Sequence, residues 1–218
     1  MIKRRNVTVL QSCFIPVVSF FTAILIRIFW LGKIEGLENI PASPCIIISN
    51  HASYLDFLLL GYVLKRKSGK KFRFWAKTKV VKHSLWKTYS KLYNSIEVNG
   101  NFRKLNELSA QAIQNGECVC IFPEGQRTRN GTIQSFKSGY LRLAASSGIE
   151  VVPAFLENTY LAWPAHNFLP KFRKCHVRFY PSIPIEKNIS ETMLDELNVR
   201  IMKKYGQYAE QTRKHSRS

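Results

Sequence analysis

The sequence predicts an α/β fold, a mixed and largely parallel sheet flanked by helices, carried behind an N-terminal membrane-associating helical segment. Three observations predict it. Short aliphatic runs of the length of a buried strand alternate with stretches whose apolar residues recur at helical spacing. Glycines close several of the helical stretches. Residues 7–31 are almost continuously apolar, behind the cationic Lys3, Arg4 and Arg5.

That first stretch is interrupted by Gln11, Ser12, Pro16, Ser19 and Arg27. Pro16 is expected to kink or break a helix, because it removes one backbone donor and crowds the preceding turn. Arg27 and Trp30 suit a membrane–water interface. Basic residues flank the stretch on both sides, and a helix or bent hairpin lying in one leaflet keeps both flanks on the cytoplasmic face. A single span is the alternative, since about 20 apolar residues are nearly present, and a buried helix is a third. A signal peptide fits poorly, because no small-residue cleavage site follows Ala23. The organisation predicted is a membrane-associating segment over 1–33, one α/β domain over 34–211 and a disordered basic tail over 212–218.

Within the domain, Cys45-Ile46-Ile47-Ile48-Ser49 reads as a buried strand and residues 55–64 as a helix. Phe72-Arg73-Phe74-Trp75-Ala76 reads as the next strand, and Val81, Leu85, Tyr89 and Leu92 share one helical face. A short strand over 96–98 precedes a helix marked by Leu105, Leu108 and Ala112 and ended by Gly116. Residues 118–122 form a strand, and 140–146 a helix closed by Gly148. Residues 150–155 and 176–180 form two further strands, and Ser190 caps a last helix running toward Ala209.

The 218 residues carry 33 Lys and Arg against 14 Asp and Glu, a net charge of +19. Such a field attracts phosphate in some form: nucleic acid, anionic lipid, an acidic carrier protein or a phosphorylated substrate. No nucleic-acid-binding motif is present, and the apolar N-terminus argues against that class, so no nucleic-acid partner is expected. The cysteines, Cys13, Cys45, Cys118, Cys120 and Cys175, form no Cys-x-x-Cys pair. Their odd number and apolar settings predict free buried thiols in a reducing compartment, with no zinc site. Cys118 and Cys120 are expected on opposite faces of their strand.

Two segments carry chemistry. In Asn50-His51-Ala52-Ser53-Tyr54-Leu55-Asp56 a buried strand runs into a turn and then a helix, so His51 opens into the crevice at a strand end. On a continuous helix His51 and Asp56 would stand about 140° apart, at 100° per residue, and could not meet. With His51 in the turn and Asp56 in the first helical turn they can, the carboxylate fixing the imidazole tautomer and leaving a base. The competing reading is a helix cap built from Ser53 and Asp56. In Phe122-Pro123-Glu124-Gly125-Gln126-Arg127-Thr128, Pro and Gly bring backbone close to a ligand and Arg127 offers a planar fork suited to phosphate. The competing reading is an ordinary turn with a solvated arginine.

Together these segments resemble the glycerolipid acyltransferases typified by lysophosphatidate acyltransferases. The first resembles that family's Asn-His-x-Ser-x-x-Asp block and the second its Phe-Pro-Glu-Gly-x-Arg-Ser/Thr block, about 70 residues apart as the family has them. Phe136-Lys137-Ser138-Gly139 and Val152-Pro153-Ala154 look like two further blocks, so the likeness covers residues 39–184. The resemblance implies transfer of a fatty acyl group from an acyl thioester, acyl-CoA or acyl carrier protein, to the hydroxyl of a lysophospholipid in phospholipid biosynthesis. Lysophosphatidate is the first choice of acceptor, with glycerol-3-phosphate, another lysophospholipid or a lyso-aminolipid as alternatives. An inactive lipid-binding member is the alternative outside catalysis. The catalytic residues implied are His51 as general base and Asp56 as its orienter. Glu124, Gly125, Arg127 and Thr128 are the substrate-binding residues implied. No metal or cofactor is implied, the thioester being a substrate. The enzyme would work at the membrane bilayer, monotopic or peripheral on the cytoplasmic face.

One block departs from the family. Its second motif has an arginine, implied to help hold the acceptor phosphate, where this chain has Asn99 or Gly100; Arg103 is the candidate to replace it from a shifted position. The stretch 65–91 also holds 11 Lys and Arg, and no acid lies between Asp56 and Glu97. It reads as a surface for anionic headgroups or for the donor's acidic carrier or coenzyme A phosphates, or as a solvated face. The interleaved Phe72, Phe74, Trp75 and Trp86 suit a membrane interface or a packed core.

Overall fold

The structure is a computed structural model that describes residues 9–78 and 84–215. Among them one seven-stranded sheet forms, in the order β1-β7-β6-β2-β5-β3-β4. The strands are β1 (Leu31–Glu35), β2 (Ile46–Ser49), β3 (Phe72–Lys77), β4 (Ile96–Val98), β5 (Cys118–Ile121), β6 (Val151–Glu157) and β7 (Cys175–Phe179). Neighbours run parallel except β6 and β7, so the sheet is mixed and mostly parallel, as the alternating pattern predicts.

Helices cover both faces, which is why the central strands are apolar on both sides. Cys45, Ile47, Cys118, Cys120, Val152 and Ala154 pack toward α2 (Leu55–Val63) and the end of α1 (Val9–Leu25). Ile46, Ile48, Val119, Ile121, Val151 and Phe155 pack toward α4 (Phe102–Gln114), α5 (Gly139–Ser147) and α7 (Glu191–His215). Cys118 and Cys120 therefore share a face, contrary to expectation, because side chains two apart on a pleated strand return to the same side. The thiols of Cys45, Cys118, Cys120 and Cys175 are free and buried; the side chain of Cys13 lies outside the described ones.

Several elements differ from the sequence reading. Leu108 is 36% exposed, and Ser109 takes the inward place on α4, where it accepts a hydrogen bond from the Trp75 indole at 2.9 Å. With Phe72 and Phe74 buried as well, these aromatics belong to the packed interior. The helix α3 (Ser84–Leu92) follows, but Val81 and the side chains of Leu85 and Trp86 lie outside what is described. Ser190 caps α7, accepting from the Met193 N–H at 3.2 Å, but the helix runs on to His215 and so takes in part of the tail expected to be disordered; residues 216–218 lie outside the description. The short helix α6 (Thr159–Ala162) was not foreseen.

At the N-terminus, α1 continues through Pro16, which costs a single backbone bond. The chain changes direction ten residues later, in a π turn at Ile26–Trp30, and enters β1. That strand pairs with β7 and straddles the boundary placed at residues 33 and 34. Trp30 is buried, its indole donating to the Lys171 carbonyl at 2.9 Å, whereas Arg27 is exposed. The 17 residues of α1 span about 25 Å, and no described helix is long and apolar enough to cross a membrane. Lys3, Arg4 and Arg5 lie outside the described residues. One side of α1 rests on the body of the protein, the Thr22 and Tyr89 hydroxyls lying 2.7 Å apart. The other side leaves Val17, Phe20, Phe21, Ile24 and Leu25 exposed.

Candidate active site

The turn after β2 is held from four directions. The Asn50 amide behaves as an added peptide unit on the adjacent strand: its Nδ2 donates to the Leu156 carbonyl at 3.0 Å, and its Oδ1 accepts from the Leu156 N–H at 2.8 Å. From behind, the fully buried Tyr205 hydroxyl lies 2.9 Å from the carbonyl oxygens of Ile48 and Ala154, joining the end of β2 to the middle of β6. Ser53 accepts the Leu55 N–H at 3.0 Å and donates to the Trp163 carbonyl at 2.6 Å. The fourth restraint comes from the second motif, which grips the peptide of His51 itself.

Asp56 is fully buried in the first turn of α2. Its Oδ2 lies 2.9 Å from His51 Nδ1 and accepts the N–H groups of Ala52 and Ser53 at 2.6 and 2.7 Å. Three partners on one oxygen require that oxygen to be an acceptor, so Nδ1 donates to it, and in the neutral imidazole Nε2 is the nitrogen without a proton. The capping role and the histidine-orienting role, which sequence leaves as competitors, are carried by the same oxygen. Asp56 Oδ1 is buried without a partner. The His51 ring stacks on Phe122, centroids 4.2 Å apart at 16°, which fixes its plane. Its side chain keeps 20% exposure, and among the described residues Nε2 has no hydrogen-bond partner. A histidine held in this way can act as a general base.

The loop after β5 supplies the grip. Glu124 is 5% exposed; its Oε1 accepts the His51 N–H at 2.7 Å and its Oε2 the Gln134 N–H at 2.9 Å. The Thr128 N–H donates to the His51 carbonyl at 2.9 Å. Both polar groups of the His51 main chain are thus bound by one loop. Burial pushes the Glu124 carboxyl up to about 7; its two backbone bonds oppose the rise, and the nearby Asp56 adds to it. Glu124, expected among the substrate-binding residues, spends one oxygen on the His51 turn and the other on its own loop. Thr128 is buried and its hydroxyl turns to Asn130 at 2.9 Å, so it too builds the loop.

Arg127 and Gly125 are placed differently. The Arg127 guanidinium carbon lies over the Tyr54 ring, 3.7 Å from its centroid, an attraction of about 0.5–2 kcal/mol. Its Nη1 is buried without a hydrogen-bond partner. Gly125 has φ +68°, a conformation other residues adopt with strain. The Lys137 side chain crosses above it, with Nζ 3.5 Å from where a β-carbon would stand. Lys137 is a site residue the sequence reading did not assign, although the Phe136-Lys137 block was in view. Arg103 does not join this group. It stands at the start of α4, its side chain 91% exposed and paired with Glu107 at 3.1 Å. Asn99 and Asn101 make the turn and the cap of that helix, with Gly100 at φ +91° between them. Among the described residues no group of histidines, cysteines and carboxylates could hold a metal ion.

A family model described as Acyltransferase matches residues 32–157, more than half of the chain and both segments of the site. The chain belongs to the acyltransferase family. It is 30% identical over 153 residues to the chloroplastic 1-acyl-sn-glycerol-3-phosphate acyltransferase LPAT1 of Arabidopsis thaliana, a match covering 66% of this chain and 40% of that one. To the 1-acyl-sn-glycerol-3-phosphate acyltransferase of Pseudomonas aeruginosa it is 31% identical over 140 residues, 61% of this chain and 51% of that one. The chain thus spans about half or less of the length of these relatives. The crystal structure of the 1-acyl-sn-glycerophosphate (LPA) acyltransferase PlsC from Thermotoga maritima shares the fold, with a TM-score of 0.69 over 91% of this chain and 81% of that one at 23% identity.

Proposed function

We propose that this chain transfers a fatty acyl group from an acyl thioester to the free hydroxyl of a lysophospholipid, lysophosphatidate first among them, at a membrane surface. The observation that carries the reading is the His51–Asp56 pair, with Nε2 available, whose main chain is bound by the same loop that carries the partnerless Nη1 of Arg127. The acceptor hydroxyl gives its proton to Nε2 as its oxygen attacks the thioester carbonyl. The tetrahedral adduct collapses, the carbon–sulfur bond breaks, and the imidazolium returns the proton to the departing thiolate. Asp56 stabilises the imidazolium between the two transfers. A general base of this kind contributes about 10²–10⁴-fold. Arg127 and Lys137 supply the positive charge for an acceptor phosphate, and Tyr54 keeps the Arg127 fork oriented. The reading agrees with the names of the relatives.

The N-terminal segment, in this reading, lies in one leaflet of the cytoplasmic face through the exposed side of α1. The donor is acyl-CoA or acyl carrier protein, and the basic residues over 65–91 suit either. A different acceptor is the second reading, favoured by Arg103, which is turned to Glu107 and leaves the phosphate to Arg127 and Lys137. Purified full-length chain, a labelled acyl thioester and a panel of lysophosphatidate, glycerol-3-phosphate, uncharged monoacylglycerol and lyso-aminolipid separate the two. Lysophosphatidate used at least as well as every other acceptor supports the reading. Preference for an acceptor without phosphate defeats it.

A further inference from the structure

We propose that residues 158–174 form a second membrane-inserting element, a preformed hydrophobic loop that dips into the leaflet beside α1 and delivers the acceptor to His51. The inference rests on the membrane reading above and adds an entry point to it.

The loop is built, not slack. Its neck is closed by Asn158, whose Nδ2 donates to the Lys174 carbonyl at 3.3 Å. The Lys171 N–H donates to the Ala162 carbonyl at 2.7 Å, and the Trp163 indole to the Asn167 carbonyl at 3.1 Å. Such internal ties would normally serve to bury the apolar residues of a loop. Here they present them: Phe168, Leu169 and Phe172 are 90%, 71% and 75% exposed. Two aromatics and a leucine held outward on one rigid tip are costly in water. The polar environment around them matches one occupant. Lys171, Arg173 and Lys174 are exposed on the same limb, and no acidic residue occurs between Glu157 and Glu186. Apolar side chains at a tip with cations behind them are complementary to an acyl region beneath anionic headgroups.

The loop is also continuous with α1. Phe172 lies 4.7 Å from Phe29 by ring centroids, and the Lys174 ammonium donates to the Ile28 carbonyl at 2.7 Å. The exposed Leu25 and Ile28 thus lead toward the exposed Phe172, with the exposed Arg27 on the same turn. At its other end the loop touches the catalytic turn: the Ser53 hydroxyl donates to the Trp163 carbonyl, and the Tyr54 and Trp163 rings stand 5.2 Å apart. Tyr54 in turn carries Arg127 on its face. One short segment therefore joins the apolar surface to the phosphate-binding side of the site. A single-chain lipid sliding along it keeps its tail in hydrocarbon while its headgroup meets Arg127.

The test places one environment-sensitive fluorophore at a time on the full chain, at Phe168→Cys, Phe20→Cys or Lys203→Cys, each with Cys13→Ser; the other four native cysteines are buried. Vesicles contain phosphatidylcholine and phosphatidylglycerol, with nitroxide-labelled acyl chains as quencher. The expected result is a blue shift and quenching at positions 168 and 20 and neither at 203. Quenching at 20 without quenching at 168 overturns the loop inference and leaves the membrane reading standing. No quenching at either overturns both. A blue shift at 168 that grows with protein concentration in the absence of vesicles shows a second copy covering the loop, and also overturns the inference. In parallel, Phe168→Glu with Leu169→Glu, at positions whose exposure spares the fold, should lower activity on a long-chain acceptor in vesicles by about tenfold or more, the scale of losing apolar side chains from a leaflet. Short-chain soluble acceptor should be used as before. Equal loss on both acceptors counts against the loop as an entry point.

Discussion

The main-chain N–H of His51 donates to Glu124 Oε1 at 2.7 Å, so the turn after β2 and the loop 73 residues later are one unit held by a buried carboxyl. A glutamine in its place offers one carbonyl oxygen for two backbone donors and points an N–H₂ at one of them. Glu124→Gln should therefore loosen the loop and lower kcat, with a stability loss of about 1–3 kcal/mol from the donor left unsatisfied. Thermal unfolding and steady-state rates on the same preparation check it; an unchanged kcat in a folded variant would detach Glu124 from the positioning of His51.

The same carboxyl sets a pH dependence of stability. Its folded pKa, about 7, lies above its ordinary value of 4.5. The folded state then binds the proton more tightly than the unfolded chain, so the contribution is fully present below pH 4.5, falls as pH rises toward 7 and is lost above that. Wild type should lose more stability than Glu124→Gln between pH 4.5 and 7, narrowing the gap between them. Parallel unfolding curves of the two proteins across that window would refute the assignment.

His51 and Asp56 should separate in their effects. The His51→Ala change removes a partly exposed ring and its proton transfer, so activity falls by about 10²–10⁴-fold with little change in unfolding temperature. Asp56→Asn is a different lesion. Three partners converge on Oδ2, and an amide either keeps its oxygen there and loses the charge or turns an N–H₂ toward donors. Both activity and stability should fall, the latter by about 1–3 kcal/mol for donors left unpaired. Circular dichroism melts beside rate measurements distinguish the two, and a destabilised His51→Ala with a stable Asp56→Asn would reverse the argument.

Arg127→Ala should weaken the acceptor before the donor. Losing a charge-assisted contact of about 1.5–3 kcal/mol corresponds to roughly a ten- to hundredfold rise in acceptor KM. Arg127→Lys restores the charge but neither the fork nor the stacking on Tyr54, so recovery should be partial. A raised thioester KM with an unchanged acceptor KM would place the donor at this loop instead.

What the sequence disclosed follows from the range of each interaction. Period and punctuation are local, so the strands at 46–49, 72–77 and 118–121 and the Gly148 cap on α5 stood out, the glycine at φ +64°. His51 and Asp56 are five residues apart and their meeting follows from one turn. Glu124 and Asn50 act through partners 73 and 106 residues away, which no window along the chain contains. β1 was missed for a related reason: Leu31-Gly32-Lys33-Ile34-Glu35 has a weak pattern of its own and becomes a strand by pairing with β7, near the far end of the chain. Arg103 is the reverse case, a suitable residue type in a suitable stretch whose side chain is paired with Glu107 one helical turn on.

The last prediction concerns the segment before β1, which in the proposed function anchors without spanning. The structure alters how it should be cut: removing residues 1–33 takes part of β1 and the buried Ile26 and Trp30 with it, so the informative deletion ends at residue 25. Val17, Phe20, Phe21, Ile24, Leu25 and Ile28 are each between 37% and 59% exposed. Completing their burial in a leaflet is worth on the order of 5–10 kcal/mol, at ~1.5–3 kcal/mol for a whole side chain. Each Lys or Arg near an anionic surface adds about 1 kcal/mol, and salt screens only that part. High salt should therefore leave the full chain on membranes while detergent releases it. The chain lacking residues 1–25 should become easier to extract, held by the basic surface and the 158–174 loop alone, with high salt removing only the electrostatic share. It should lose more activity on bilayer-embedded acceptor than on a short-chain soluble one. Topology is read from Ile2→Cys and Ser216→Cys in a variant without native cysteines: labelling of both from the same face of sealed vesicles by an impermeant thiol reagent fits one leaflet, and labelling from opposite faces shows a span.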